Sequence, residues 1–256
     1  MRRDEKRKIA IGRGGAKAVK CLIIAAGQGT RLRSLAASKP LAEVAGVPLI
    51  EHVGRSARAG GASALVVVTG YQAERVEAFL PVLADRLGIA VEAVRNPAWE
   101  RPNGLSVLAA ADRLDGDFAL LMSDHLFDPS ILAAAIAGRS GGVELTLAAD
   151  FDVANPELDL DDATKIDAGP DGRIRRIGKA IAGYNAIDTG IFVTSPALFG
   201  AIRASVAGGG SGSLSEGVQR LADRGTAYVH DNAGRWWLDV DDAPAWRKAE
   251  AALAAA

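Results

Sequence analysis

The sequence predicts an α/β fold: a mostly parallel sheet with helices on both faces and a small β-rich excursion over the sheet's carboxyl edge. Short β-type runs alternate with helix-type stretches from Lys20 onward, the arrangement that packs a parallel sheet between two layers of helices. The first run, Leu22-Ile23-Ile24-Ala25-Ala26, opens into a glycine-rich loop, where open α/β sheets bind ligands. The chain has 256 residues, 49% of them apolar, enough to bury one large core without covalent staples.

Taken in order, strands are expected at Lys20–Ala25, Ala64–Thr69, Ala90–Arg95, Asp117–Met122, Val143–Ala149, Ala186–Val193 and Ala227–Asp231. Between the first four lie Pro48–Ala59, Ala73–Leu87 and Leu105–Leu114, whose apolar residues recur at the three- and four-residue spacing of amphipathic helices. After about Ala149 the alternation weakens. Residues 151–184 are rich in Asp, Gly and Pro and contain Gly169-Pro170-Asp171-Gly172, a hairpin turn, so the excursion is placed here. Gly208-Gly209-Gly210-Ser211-Gly212 reads as a flexible loop. Ser213-Leu214-Ser215-Glu216 then forms a capping box opening a helix from Leu214 to Asp223. Trp246–Ala256 reads as a terminal helix with a fraying end.

Residues 20–256 are therefore expected to form one domain, preceded by a basic arm over residues 1–19. The first twenty residues carry Arg2, Arg3, Lys6, Arg7, Lys8, Arg13, Lys17 and Lys20 against Asp4 and Glu5, a composition that favours a solvated tail. The interruptions at Gly12, Arg13, Gly14, Gly15 and Lys17 leave no apolar stretch for an export signal, and no run is long enough to span a membrane. A cytoplasmic location follows as the expectation. The net charge of −1 gives no overall attraction to nucleic acid. Cys21 is the single cysteine and reads as a small buried thiol.

The loop Ala25-Ala26-Gly27-Gln28-Gly29-Thr30-Arg31 lacks bulky side chains, so backbone N–H groups can approach a ligand and suit phosphate oxygens. Arg31 and Lys39 add positive charge beside it. Gly27-x-Gly29 lacks the third glycine of a dinucleotide fingerprint and no Gly-Lys-Ser or Gly-Lys-Thr follows, so neither a dinucleotide site nor a P-loop is supported. Asp124 follows the fourth strand, and Asp239 follows the apolar run Trp236-Trp237-Leu238. Magnesium takes one or two carboxylates together with phosphate oxygens, although beside Asp241 and Asp242 the residues alone let Asp239 pass as an ordinary loop acid. His125 adjoins Asp124 but is set aside, since magnesium prefers oxygen. His52 and His230 lack partner spacing, and no nucleophile–histidine motif is recognisable.

With Ser38-Lys39-Pro40-Leu41 and Gly46-Val47-Pro48-Leu49-Ile50 added, the loop resembles the amino-terminal signature of the sugar-nucleotide pyrophosphorylases. Further along come Asn96-Pro97-Ala98-Trp99-Glu100-Arg101-Pro102-Asn103-Gly104-Leu105-Ser106, Met122-Ser123-Asp124-His125, Asp161-Asp162-Ala163-Thr164-Lys165, Gly178-Lys179 and Ala186-Ile187-Asp188-Thr189-Gly190. Over residues 20–250 this order is similar to the inositol-1-phosphate cytidylyltransferases.

The resemblance implies a Rossmann-like fold and a cytidylyl transfer from CTP to L-myo-inositol-1-phosphate. It implies that Ala25, Ala26, Gly27, Gly29 and Thr30 hold the nucleotide, that Arg31 and Lys39 bind its phosphates, and that Asp124 and Asp239 bind Mg2+. Lys179 would hold the acceptor phosphate, with Lys165 nearby and Asp188 and Thr189 at the polyol hydroxyls. Asn103 and Ser106 are expected to read the pyrimidine edge. Many members of this family carry a carboxy-terminal membrane domain that uses the product. This sequence carries no such span, so a separate membrane transferase is implied. Another sugar-1-phosphate, phosphocholine or a phosphonate stays open as acceptor, as does a catalytically silent subunit that only binds a nucleotide sugar.

Overall fold

A computed structural model of the protein describes residues 19–33, 36–155 and 158–254. Of the expected basic arm only Val19 falls among them. In chain order the elements are β1 (Val19–Ala25), the short strands β2 (Glu43–Val44) and β3 (Val47–Pro48), α1 (Leu49–Ala59), β4 (Ala62–Thr69), α2 (Ala73–Leu87), β5 (Ala90–Arg95), α3 (Gly104–Ala109) and β6 (Phe118–Met122). There follow β7 (His125–Phe127), α4 (Pro129–Ala137), β8 (Leu145–Asp150), β9 (Lys165–Ala168), β10 (Ile174–Gly178), β11 (Ala186–Thr194), α5 (Ala197–Ala207), α6 (Leu214–Asp223), β12 (Ala227–Asp231), β13 (Trp237–Asp239) and α7 (Ala243–Ala254).

All seven expected strands are present, each within two residues of its expected ends. β1 lies between β4 and β6 and pairs with both in parallel, and β5 adds to β4 in the same sense. Beyond β6 the direction reverses, with β11 antiparallel to β6 and to β8, while β12 runs parallel to β8. The result is one mixed nine-stranded sheet. The start of β11, at Ala186 and Ile187, pairs with β9, which pairs with β10. Because β11 opposes β6, this hairpin sits past the carboxyl end of β6, where the excursion was expected. Its turn closes through the Gly172 N–H donating to Gly169 C=O at 2.9 Å.

Side-chain alternation along the central strands sorts the core into two layers. Cys21 and Ile23 of β1, with Leu65 and Val67 of β4, join the layer under α1, α2 and α4. Leu22 and Ile24, with Val66 and Val68, join the layer under α3, α5 and α6. Cys21 is fully buried, and burial pushes its thiol above the ordinary range, as suits a packed, unreactive cysteine.

Three local expectations change. The helix expected over Leu105–Leu114 is α-helical only as far as Ala109 and continues as a 3-10 turn over Ala111–Arg113, because Ala110 leaves helical geometry at φ −94°, ψ 6°. The capping box is half formed: the Ser213 hydroxyl accepts the Glu216 N–H at 3.3 Å. The Glu216 carboxylate reaches past the cap to the N–H groups of Ser211 and Gly212, at 3.1 and 2.8 Å, and to the Ser205 hydroxyl. Those bonds tie down the glycine-rich segment that composition alone marks as flexible. The ribbon between β7 and β13 has no counterpart in the periodicity analysis, each strand being three residues long.

Candidate active site

β1 delivers the chain to the loop at the sheet's carboxyl edge. Ala25 and Ala26 are buried under that loop, and the Ala26 carbonyl accepts the Tyr71 N–H at 3.0 Å. Gly29 then takes φ 58°, and a Cβ there would lie 2.4 Å from Lys39 Cβ. Only glycine combines that left-handed backbone with so close a passage. Thr30–Leu32 make one 3-10 turn that buries Leu32, leaving Arg31 at the cavity. Lys39 begins a second such turn ahead of Pro40.

Asp124 follows β6, and the β7–β13 ribbon brings Asp239 to it by setting Asp239 opposite His125. The Val240 N–H donating to the Asp124 carbonyl at 3.0 Å closes the same junction. His125 Nδ1 lies 2.8 Å from Asp124 Oδ1 and 3.7 Å from Asp239 Oδ1, and its ring stacks on Trp237. β11 is bulged here, and at Gly190, φ 76°, a Cβ would lie 2.5 Å from the His125 ring.

The cations are held by carboxylates. Lys39 Nζ sits 2.5 Å from Asp124 and also pairs with Asp241. Arg31 spans Asp162, at 2.5 Å, and Asp241, and Lys179 pairs with the other oxygen of Asp162. Burial alone would raise the Asp124 carboxyl, but Lys39 and His125 outweigh it and hold it well below the carboxylate range. Burial likewise works against charge on Lys39 and His125, yet the surrounding carboxylates prevail. Lys39 is held above its ordinary value and His125 is pushed up to about 9. Asp162, bonded to Lys179 and Arg31, falls to about 2.

Asp239 is the exception. Burial, with Asp124 and Asp241 nearby, pushes its carboxyl up to about 6 despite His125. Its Oδ1 is buried and, among the described residues, has no hydrogen-bond partner. An orphaned carboxylate oxygen facing a second carboxylate is what a hard divalent cation satisfies, so Asp124 and Asp239 fit Mg2+. Asp124, His125 and Asp239 place one ligand atom each within 4.8 Å of one another, and the histidine, with Nδ1 already on Asp124, fits the role of the carboxylates' partner.

Two adjoining cavities share Arg31, Asn103, Met122, Asp124 and Asp241. The one of about 360 Å³ is lined by Gly27, Gly29, Thr30, Arg31, Lys39, Trp99, Arg101, Asn103 and Ser106. The one of about 400 Å³ holds Asp239, Asp162, Lys179 and Asp188. Asp188 accepts the Gly190 N–H at 2.7 Å, and burial nevertheless pushes its carboxyl up to about 6.

Four expected site residues fall outside both linings. Ala25 and Ala26 lie beneath the loop. Thr189, neighbour of Asp188 on a strand, points to the opposite face, fully buried, and donates to the Ala148 carbonyl at 2.8 Å. Lys165 donates to the Lys179 carbonyl at 2.8 Å and lies over the Tyr184 ring, so it braces the backbone of Lys179. Asp241 and Asp162, which hold Arg31, Lys39 and Lys179, are not among the site residues expected from the sequence. Asp241 lies two residues past Asp239, beyond the end of β13, and Asp162 stands in one of the segments that carry the family resemblance, one acid among several there.

A glycine loop at the head of a parallel sheet, a carboxylate pair that fits a cation, and lysine and arginine around both define a nucleotidyltransferase. The chain belongs to the family described by the MobA-like NTP transferase domain, which matches residues 21–157. It is similar to the bifunctional IPC transferase and DIPP synthase of Rubrobacter xylanophilus, with 35% identity over 231 residues, 89% of this chain and 50% of that protein. The chain spans about half the length of the bifunctional relatives of this kind, at 45–50% of each of four of them. The solved inositol-1-phosphate CTP transferase from T. maritima superposes with a TM-score of 0.78 at 26% identity, over 90% of this chain and 92% of that one. The UTP–glucose-1-phosphate uridylyltransferase AglF of Haloferax volcanii is 25% identical over 230 residues, 87% of this chain and 91% of that protein. Among the described residues no helix is long and apolar enough to cross a membrane.

Proposed function

We propose that the protein transfers a cytidylyl group from CTP to L-myo-inositol-1-phosphate, giving CDP-inositol and pyrophosphate. The observation that carries this reading is the meeting of the two cavities at Arg31, Asp124 and Asp241. One side offers the glycine loop to a nucleotide, the other offers Lys179 and Asp188 to a phosphorylated polyol. Similarity to the T. maritima CTP transferase along nearly its whole length supports the choice of substrates.

The acceptor phosphate, with a second pKa near ~6, is largely dianionic at neutral pH. One of its oxygens attacks the α-phosphorus in line; the new P–O bond forms as the bond to the bridging oxygen of pyrophosphate breaks. No proton has to be removed, so the site needs no general base, and positioning and charge carry the rate. Lys179 orients the acceptor. Arg31 and Lys39 stabilise charge on the departing pyrophosphate, exchanging their carboxylate partners for phosphate oxygens. Mg2+ at Asp124 and Asp239 would supply neutralising charge at the nucleotide phosphates. Asp188 faces the polyol, while Asn103 and Ser106 face the base.

The test is pyrophosphate release with each nucleoside triphosphate against a panel of inositol-1-phosphate, hexose-1-phosphates, phosphocholine and a phosphonate, with magnesium. CTP with inositol-1-phosphate is expected to be fastest. A faster reaction with glucose-1-phosphate would replace this reading with a second one, which the similarity to the Haloferax volcanii uridylyltransferase favours.

A further inference from the structure

Hydrogen bonds inside the protein fix what one wall of the smaller cavity has left to offer a ligand. The Ala98 N–H donates to Asn96 Oδ1 at 2.9 Å, which makes the other end of that amide its NH2 group, and this donates to the Ser106 oxygen at 3.0 Å. Asn96 and Ser106 are both buried. The Ser106 oxygen therefore accepts one bond from Asn96 and keeps its proton and a second lone pair. Asn103 is oriented in the same way: the Leu214 N–H donates to its Oδ1 at 3.0 Å, which leaves the Nδ2 group for the cavity.

Arg101 stands on the same wall and has donors only. Arg31, Lys39 and Lys179 are each held by carboxylates. Among the described residues the Arg101 guanidinium has no hydrogen bond or ion pair, although it lines the cavity. Its backbone is set by a turn, the Arg101 N–H donating to the Ala98 carbonyl at 3.0 Å. Trp99, packed edge-on against Tyr71 at 5.3 Å, again offers only an N–H.

We propose that the Arg101 guanidinium and the Asn103 Nδ2 group form a donor edge that selects cytosine over uracil, with Arg101 the specificity-determining residue. Cytosine presents O2 and N3 as neighbouring acceptors. Uracil carries a hydrogen on N3, which leaves a donor of the wall facing another donor and both unpaired. The inference rests on the smaller cavity being the nucleotide site and is independent of the acceptor.

The experiment is calorimetric titration of CTP and of UTP, with magnesium and no acceptor, into the wild-type protein, Arg101→Ala and Arg101→Gln. The wild type is expected to prefer CTP by about tenfold or more, as one good paired contact to a base edge allows. Arg101→Ala should bring the two affinities to within a few-fold. Arg101→Gln, whose side-chain oxygen can accept from N3–H, should favour UTP relative to Arg101→Ala. Equal affinities in the wild type would overturn the proposal. So would an equal loss for both nucleotides in Arg101→Ala, which would make Arg101 a phosphate contact. Since no acceptor is present, CTP preference without turnover on inositol-1-phosphate would sink the proposed function and leave this inference standing.

Discussion

Replacing Gly29 by alanine tests the loop at its tightest point. The new Cβ would lie 2.4 Å from Lys39 Cβ, where ordinary contact begins at 3.4 Å, so the two 3-10 turns must separate by about 1 Å. Lys39 cannot relieve this by changing rotamer, because the clash is with its first side-chain carbon. A displacement of that size at the phosphate contact proposed for Lys39 costs on the order of a hundredfold in rate. The left-handed backbone at φ 58° adds ~1 kcal/mol of strain. Gly225 separates the two effects: it has φ 72° with nothing within 4 Å of a Cβ, so Gly225→Ala carries the backbone strain alone. Steady-state pyrophosphate release and urea unfolding should be measured on both variants. Gly29→Ala is expected to lose about a hundredfold in kcat/KM for CTP, whereas Gly225→Ala loses stability of order 1 kcal/mol with kcat/KM intact. Turnover of Gly29→Ala within threefold of wild type would refute the idea that Gly29 sets the position of Lys39.

Asp124→Ala and Asp239→Ala should each abolish magnesium-dependent turnover while circular dichroism stays native; near-normal turnover in either would remove that residue from the cation site. Lys179→Ala should raise KM for the acceptor and lower kcat with KM for CTP little changed, and unchanged acceptor kinetics would end its assignment. Glu216 has its carboxyl lowered from 4.5 to about 2, first by the Ser205 hydroxyl and further by Ser211 and Gly212. The unfolded chain therefore binds the proton more readily, so the stability this group contributes is present above pH 4.5 and is lost as the pH falls toward 2. In urea titrations the gap between wild type and Glu216→Gln should close over that window; a constant gap would show that the carboxylate's charge is not what holds the loop.

Much of the fold is legible in the sequence because strands such as Ala90–Arg95 and Ala227–Asp231 and helices such as Ala73–Leu87 and Leu214–Asp223 match their expected bounds. Each carries its own periodicity or cap. The reversal of strand direction beyond β6 has no such local signature, since β11 is buried nearly throughout as β1 is and its sense depends on the crossovers between them. At the candidate site, residue type in a family-like pattern singles out Gly29, Arg31, Lys39, Asp124 and Asp239, and the folded chain brings them to the two adjoining cavities. Thr189 differs from its expected place because strand alternation turns it away from Asp188 and into the core. Asp162 was beyond reach, because its significance comes from two cations, Arg31 and Lys179, that lie far from it along the chain. The orientation of Asn103, with its Nδ2 group left for the cavity, likewise depends on a partner, Leu214, that only the folded chain supplies.

The ribbon of β7 and β13 makes the position of Asp239 a matter of counting. Three residue pairs, ending at Asp239 opposite His125, set which side chain stands beside Asp124. A slip of one residue would turn Leu238 or Val240 toward the carboxylate and carry Asp239 to the other face. A single deletion in residues 232–236, which lead into this ribbon, would then silence the enzyme with every residue of the proposed site still encoded. Chain length there is thus as much a part of the active site as the acids themselves.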